Sequence, residues 1–163
     1  MAWQGDVLIV GGGPAGSAAA ITAARAGLSV AILERTVFPR KRPGETLHPG
    51  IESLFDQLGV AEAIAAEQFL RPTGYRVRWG MEREQFVTFG ATGSTAWCGF
   101  QATRARLDSL LLEQSRKVGA QIFQPERART PILQGNRVVG IETDQGIFEA
   151  QFILVRHPVL ILG

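Results

Sequence analysis

Residues 11–16 read Gly11-Gly12-Gly13-Pro14-Ala15-Gly16, a G-x-G-x-x-G pattern carried by Gly11, Gly13 and Gly16. The chemistry this suits is the holding of a diphosphate. The first glycine permits a tight turn, the second lets backbone approach a pyrophosphate, and the third lets a helix pack closely on a strand. Pro14 falls in the first helical turn, where a missing N–H costs nothing, and the amides around Ala15 point toward the anion. Glu34 lies about 18 residues beyond Gly16, the place for a carboxylate that accepts hydrogen bonds from ribose hydroxyls. Such a carboxylate repels a 2′-phosphate, so NADP is disfavoured here. Arg35 follows it and is counted with the cofactor-binding residues.

These groups need elements to position them. Val7-Leu8-Ile9-Val10 is a short apolar run bounded by Asp6 and Gly11, which predicts a strand buried on both faces. From Pro14 to Ala26 the chain is dominated by alanine, a strong helix former. Arg25 sits in the last turn and Gly27 follows as a stop. Leu28 to Leu33 is a second apolar strand ending at Glu34. A glycine-rich turn alone is a weak signal. The succession of strand, turn, helix, strand and acid makes it a dinucleotide site, with FAD and NAD both open at this point.

The next segment separates them. Arg35 to Gly50 is a long loop rich in proline, glycine and arginine, and such loops are usually functional. Its Phe38-Pro39-Arg40, Gly44-Glu45 and Pro49 resemble the loop of flavoproteins with the p-hydroxybenzoate hydroxylase fold. That group includes flavin-dependent halogenases, geranylgeranyl reductases and monooxygenases. The resemblance implies FAD as cofactor, with the loop passing the flavin, and adds Arg40, Gly44 and Glu45 to the cofactor-binding residues. Downstream, Arg104-Ala105-Arg106-Leu107-Asp108-Ser109-Leu110-Leu111 resembles the group's Arg-x-x-(Phe/Leu)-Asp-x-x-Leu helix start. It implies that Arg104 approaches the pyrophosphate. The helix should run to about Val118, with Leu107, Leu110, Leu111 and Val118 on its apolar face, and Gly119 should cap it. The resemblance also implies that the strand Ala120–Phe123 joins the sheet beside the second strand.

Between the motifs, Ile51–Leu58 and Val60–Phe69 predict helices broken at Gly59. Gly74–Trp79, Gln85–Phe89 and Ala96–Gln101 predict strands of an inserted, substrate-side layer. Ile132-Leu133, Arg137–Glu142 and Ile147–Phe152, set apart by turn residues, predict a small β-meander. The fold class is therefore α/β: a Rossmann-like FAD-binding domain of three layers (ββα), with part of an inserted β-layer, truncated. The FAD-binding domain should cover residues 1–154 with the insertion at about 69–101, and residues 155–163 read as an aberrant tail from truncation or a frameshift. A missing later segment would then take a central strand with it and leave strand edge and apolar surface exposed.

Composition limits the rest. Hydrophobic residues make up 45% and charged residues 20%, an ordinary globular balance. The net charge of +2 and scattered arginines give no case for nucleic-acid binding. One cysteine, Cys98, excludes an internal disulfide and a thiolate metal cluster, so no metal is expected, and the residue should be buried and inert. No apolar run reaches membrane-spanning length, and the cytoplasm is the expected compartment. No catalytic residue can be named, and His48 in the loop reads as structural. The expected activity is that of an FAD-dependent monooxygenase or reductase on a small organic molecule, with NAD(P)H or a flavin reductase as electron donor. Halogenases of the group carry a catalytic lysine just before the glycine that opens a strand ending in Trp-Gly. The matching stretch here runs from Phe69 to Gly80 with Pro72 at that place, and Arg71 cannot do amine chemistry. A halogenase homologue without its lysine, a non-catalytic nucleotide-binding fragment and an NAD-dependent dehydrogenase are the alternatives.

Overall fold

A computed structural model describes residues 2–155. His157 and the rest of the tail from residue 156 lie outside the described residues. The chain divides into two compact units, one made of the chain up to Arg40 and from Asp108 onward, the other of Lys41–Leu107.

The first unit is built on a six-stranded sheet. In chain order its elements are β1 (Trp3–Val10), α1 (Pro14–Arg25) and β2 (Val30–Leu33), all before Arg40. After the second unit come β9 (Gln121–Phe123), β10 (Ala128–Gln134), β11 (Arg137–Thr143) and β12 (Gly146–Val155). The strand order is β10-β11-β12-β1-β2-β9. β1 is flanked by β2 and β12, both parallel to it, and β9 runs parallel on the far side of β2. The predicted meander is present, since β10, β11 and β12 pair antiparallel. It is not separate from the nucleotide sheet, however. The second half of β12 leaves β11 behind and pairs along β1, from Val7↔Phe152 to Val10↔Val155. Both places beside β1 are thus filled from within the chain, while Phe152–Val155 have no ladder partner on the side away from β1 among the described residues, and Phe152, Leu154 and Val155 are exposed, the open edge and apolar surface expected above.

Alternation along β1 explains why it is central. Val7 and Ile9 face one side, buried with Ala20 of α1 and with Val30 and Ile32. Leu8 faces the other, buried with Ala31, Leu33, Ile141 and Phe148. Phe123 meets Phe148 edge-on at 4.8 Å between ring centroids. Each such side chain taken out of water contributes roughly 1.5–3 kcal/mol before the entropy of ordering it. At the sheet entrance, the Asp6 amide donates to Ser29 Oγ, and the Ser29 amide and hydroxyl both donate to Asp6 Oδ2, at 2.6–2.8 Å.

The helix α4 (Arg104–Lys117) ends at Gly119 as expected. Its buried stripe differs from the predicted one. Leu107, Asp108, Leu111, Leu112 and Ser115 are buried, whereas Leu110 and Val118 are only half-buried. The stripe includes two polar residues because each has a partner there. Ser115 Oγ donates to the carbonyls of Leu111 and, across the helix pair, of Ser17 in α1.

The second unit holds β3 (Glu45–Leu47), α2 (Ile51–Leu58), α3 (Ala61–Ala66), β4 (Gly74–Val77), β5 (Gln85–Thr88), β6 (Ala91–Thr92), β7 (Thr95–Ala96) and β8 (Phe100–Ala102). The two helices part at Gly59, as predicted. The expected β-layer is not a single sheet among the described residues. β3 pairs with β8, β4 with β5, and β6 with β7, each as a separate antiparallel pair. The run predicted over Ala96–Gln101 is divided among partners: Ala96 and the Trp97 amide follow the β6 side as far as Gly90, the Gly99 and Gln101 amides donate to the carbonyls of Pro72 and Leu70, and Phe100–Ala102 pair with β3. β3 was expected to be loop; its three residues gain a ladder only through β8, a partner far along the chain. Among the described residues, no helix is long and apolar enough to cross a membrane.

Candidate cofactor site

β1 delivers the chain to the C-terminal edge of the sheet, where Gly11 turns it with φ of +106°. The Gly11 amide donates to the Leu33 carbonyl at 2.8 Å, which ties the turn to the end of β2. α1 then starts at Pro14 with Gly13 as its N-cap; no side chain caps it and no acid lies in its first turn. The amides of that turn have no intrahelical acceptor and carry the positive end of the helix dipole. Gly16 is held close under the turn: a Cβ there would stand 1.9 Å from the Gly11 carbonyl oxygen. A Cβ at Gly11, by contrast, would meet nothing within 4 Å. Open space thus borders Gly11, at the start of a helix whose first amides lack intrahelical acceptors. Gly13 is buried, Pro14 half-buried and Ala15 exposed.

Glu34 stands beside this turn and is 2% exposed. Its Oε2 accepts from the Gly12 amide at 2.9 Å, and its Oε1 from the Thr36 amide at 3.0 Å. Its own amide donates to the Phe123 carbonyl, and its carbonyl accepts from the Glu126 amide, so the end of β9 and the connection after it hold the Glu34 backbone. Turn and acid, placed together by sequence spacing, are in direct hydrogen-bond contact.

Arg35 is exposed. Arg40 turns inward: its NH1 lies 3.1 Å from Glu34 Oε2, and its Nε and NH2 lie 3.2 and 3.0 Å from Asp108 Oδ2. Its guanidinium carbon also sits 4.4 Å from the centre of the Phe38 ring. Asp108 is fully buried. It belongs to the helix-start motif, and the signal it carries in the sequence is a charge within an otherwise apolar helix stripe. Glu126 was missed altogether. It is buried and neither of its carboxylate oxygens has a partner among the described residues.

The other predicted residues belong to the second unit. Gly44 lies close to β8, where a Cβ would stand 3.0 Å from the Ala102 carbonyl oxygen. Glu45 Oε1 and Arg104 NH1 form an ion pair at 2.7 Å, with Arg104 buried and the Glu45 side chain partly exposed. His48 accepts the Gly50 amide on Nδ1 and lies edge-on to Phe89. With Glu52, Arg71, Trp97 and Cys98 it lines an open cleft of about 520 Å³. Cys98 is half-buried there rather than buried.

The first unit's residues fit the adenosine diphosphate half of a dinucleotide. A helix N-terminus with no side-chain cap and open space at Gly11 suit the diphosphate, and Glu34 supplies an acceptor beside them.

Comparison with known proteins separates FAD from NAD. A family model described as FAD binding domain matches residues 4–152. A tryptophan 2-halogenase of Chondromyces crocatus is 37% identical over 122 residues, covering 72% of this chain and 22% of its own length. A flavin-dependent halogenase of Armillaria mellea is 34% identical over 141 residues, covering 82% of this chain and 26% of its own. The solved structure of the myxobacterial chondrochloren halogenase, an FAD-dependent enzyme, superposes with a TM-score of 0.85 at 29% identity, over 94% of this chain and 37% of that one. The chain spans about a quarter of the length of these two curated relatives. Because the matched stretch takes in the glycine turn, Glu34 and all or most of each strand of the six-stranded sheet, the chain belongs to the FAD-binding domain family, and FAD is its cofactor.

Proposed function

We propose that this chain is the FAD-holding part of a flavin-dependent oxidoreductase that oxygenates or reduces a small organic molecule, with NAD(P)H or a flavin reductase as electron donor. When bound, FAD supplies the redox chemistry, and the protein supplies binding and placement. Gly11, Gly13, Pro14, Ala15 and Gly16 present the diphosphate-binding turn, and Glu34 accepts from the adenosine ribose. Arg35 borders that ribose site. Gly44, Glu45 and Arg104 attend the rest of the cofactor by the resemblance of their loop and helix start. The domain assignment is residues 1–154 with the insertion at about 69–101, and the compartment is the cytoplasm. The observation that carries the reading is the hydrogen bond from the Gly12 amide to Glu34, beside open space at Gly11.

A second reading, halogenation, is favoured by the names of the relatives. The stretch that would carry the lysine speaks against it. β4 begins at Gly74 after Arg71-Pro72-Thr73. Arg71 is committed to the Gly99 and Cys98 carbonyls and to Glu52, with its guanidinium 3.9 Å from the centre of the Phe100 ring.

Titration of the purified chain with FAD, followed by quenching of flavin fluorescence, tests the reading. Saturable binding is expected, weakened about tenfold or more in Glu34→Gln, since a hydrogen bond to a charged group is worth roughly 1.5–3 kcal/mol. Binding of NAD in preference to FAD, or a Glu34→Gln variant as tight as the parent, overturns it. Halide-dependent product formation with reduced FAD would move the activity to the second reading.

A further inference from the structure

Three charged residues stand together beside the glycine turn: the buried Glu34 and Asp108, and between them the half-buried Arg40. The proposed function uses only the first. The Arg40 guanidinium spends Nε and NH2 on one oxygen of Asp108 and NH1 on Oε2 of Glu34. A guanidinium is a planar fork of fixed geometry. With one edge docked on α4, its remaining arm holds Glu34 in one orientation.

The consequence lies in how many acceptor positions Glu34 keeps. A carboxylate has about two lone pairs on each oxygen. Oε2 receives both the Gly12 amide and Arg40, which fills it. Oε1 receives the Thr36 amide and retains one position. A ribose presents two neighbouring hydroxyls. An unrestrained carboxylate can take both, one on each oxygen; this one, held on three sides, can take one.

We infer that Arg40, anchored by Asp108, is a positioning residue that fixes the Glu34 carboxylate so that it accepts a single hydroxyl of the adenosine ribose. Arg40 thus serves the cofactor from behind, and the loop after β2 and the start of α4 both contribute to recognition. The inference rests on Glu34 being the ribose acceptor, as proposed above.

The test uses the full chain with three ligands that lack the flavin: ADP, 2′-deoxy-ADP and 3′-deoxy-ADP, with affinities measured by calorimetry. In the parent, one deoxy analogue should bind like ADP and the other roughly tenfold or more weakly, as expected for loss of one hydrogen bond to a charged group. In Arg40→Met, ADP should weaken several-fold and the contrast between the two analogues should shrink to less than about threefold, because the freed carboxylate can turn to either hydroxyl. Arg40→Lys should not restore the contrast, since a point charge cannot span both carboxylates as the fork does. Asp108→Asn, nearly identical in shape, should act in the same direction as Arg40→Met and guards against a poorly folded first variant. A merely structural role for Arg40 would lower stability but leave the ratio of the two analogues unchanged.

Two results overturn the inference. One is equal weakening by both deoxy sugars in the parent; the other is a contrast preserved in Arg40→Met or Asp108→Asn. Failure of the parent to bind ADP at all would instead sink the proposed function, so the two failures are distinguishable.

Discussion

Gly16 shows how little space this site leaves at the scale of single atoms. A methyl group there would lie 1.9 Å from the Gly11 carbonyl oxygen, and that oxygen belongs to backbone already fixed by the bond from the Gly11 amide to Leu33. Neither side can give without opening the turn. Gly16→Ala is therefore expected to lose about 1–3 kcal/mol of stability, in the range of overpacked cores, and to bind FAD poorly. A thermal melt should fall by roughly 2–4 °C per kcal/mol for a chain of this size. A melt and an FAD affinity both equal to the parent would rule out the close approach of helix and turn. The nearness of the glycine turn to Glu34 was legible because the spacing of strand, helix and strand alone brings them together. Arg40 was not legible in the same way. A loop resemblance says that an arginine lies near a cofactor, but a long side chain can point either way. Its direction was decided by Asp108, a partner 68 residues on in sequence, and by burial that no local pattern reports.

Among the elements, the strands and helices with strong periodicity or alanine content were readable, and their boundaries shifted by a few residues. What escaped were contacts that reward an element only from a distance. β3 exists because β8 supplies its ladder, and the polar members of the α4 stripe are buried because Arg40 and Ser17 meet them. The start of the central strands offers a case where such a contact can be titrated. Hydrogen bonds from the Ser29 hydroxyl first, and then from its amide, hold the Asp6 carboxyl below the usual carboxylate range. A lowered folded-state value means that the ionised form favours folding. That contribution is complete above the unfolded value of about 3.9 and is lost as pH falls through the folded one. Ser29→Ala removes the larger cause, so the Asp6 titration followed by NMR should move up toward the ordinary value. Stability should then also fall less steeply on acidification below about pH 4. Because Asp6 is partly exposed, the effect on stability should be small and easiest to see at low salt. An unchanged Asp6 midpoint in the variant would show that the serine does not hold it.

For the chain as a whole, the two units differ in how their strands are supported. In the first, β1, β2 and β12 lie in one sheet with buried side chains on both faces. In the second, β4 and β5 form a two-stranded pair with every residue of β5 exposed. Met81 is 96% and Trp79 75% exposed in the connection between them, and Phe86 is exposed on β5. A lone two-stranded ribbon is marginal in water, and clustered exposed apolar side chains on one segment favour association. Amide hydrogen exchange should therefore follow a fixed order, with the β4–β5 ladder losing protection well before the amides of β1 and β2, whose opening approaches the global free energy. Light scattering should rise with protein concentration, and Trp79→Ser with Met81→Ser should lower it without changing the melt, because both side chains sit in solvent and support no core. Equal protection in the two ladders, or scattering unaffected by the double substitution, would mean that this ribbon is covered in solution and that the apolar side chains of its connection are not the surface that associates.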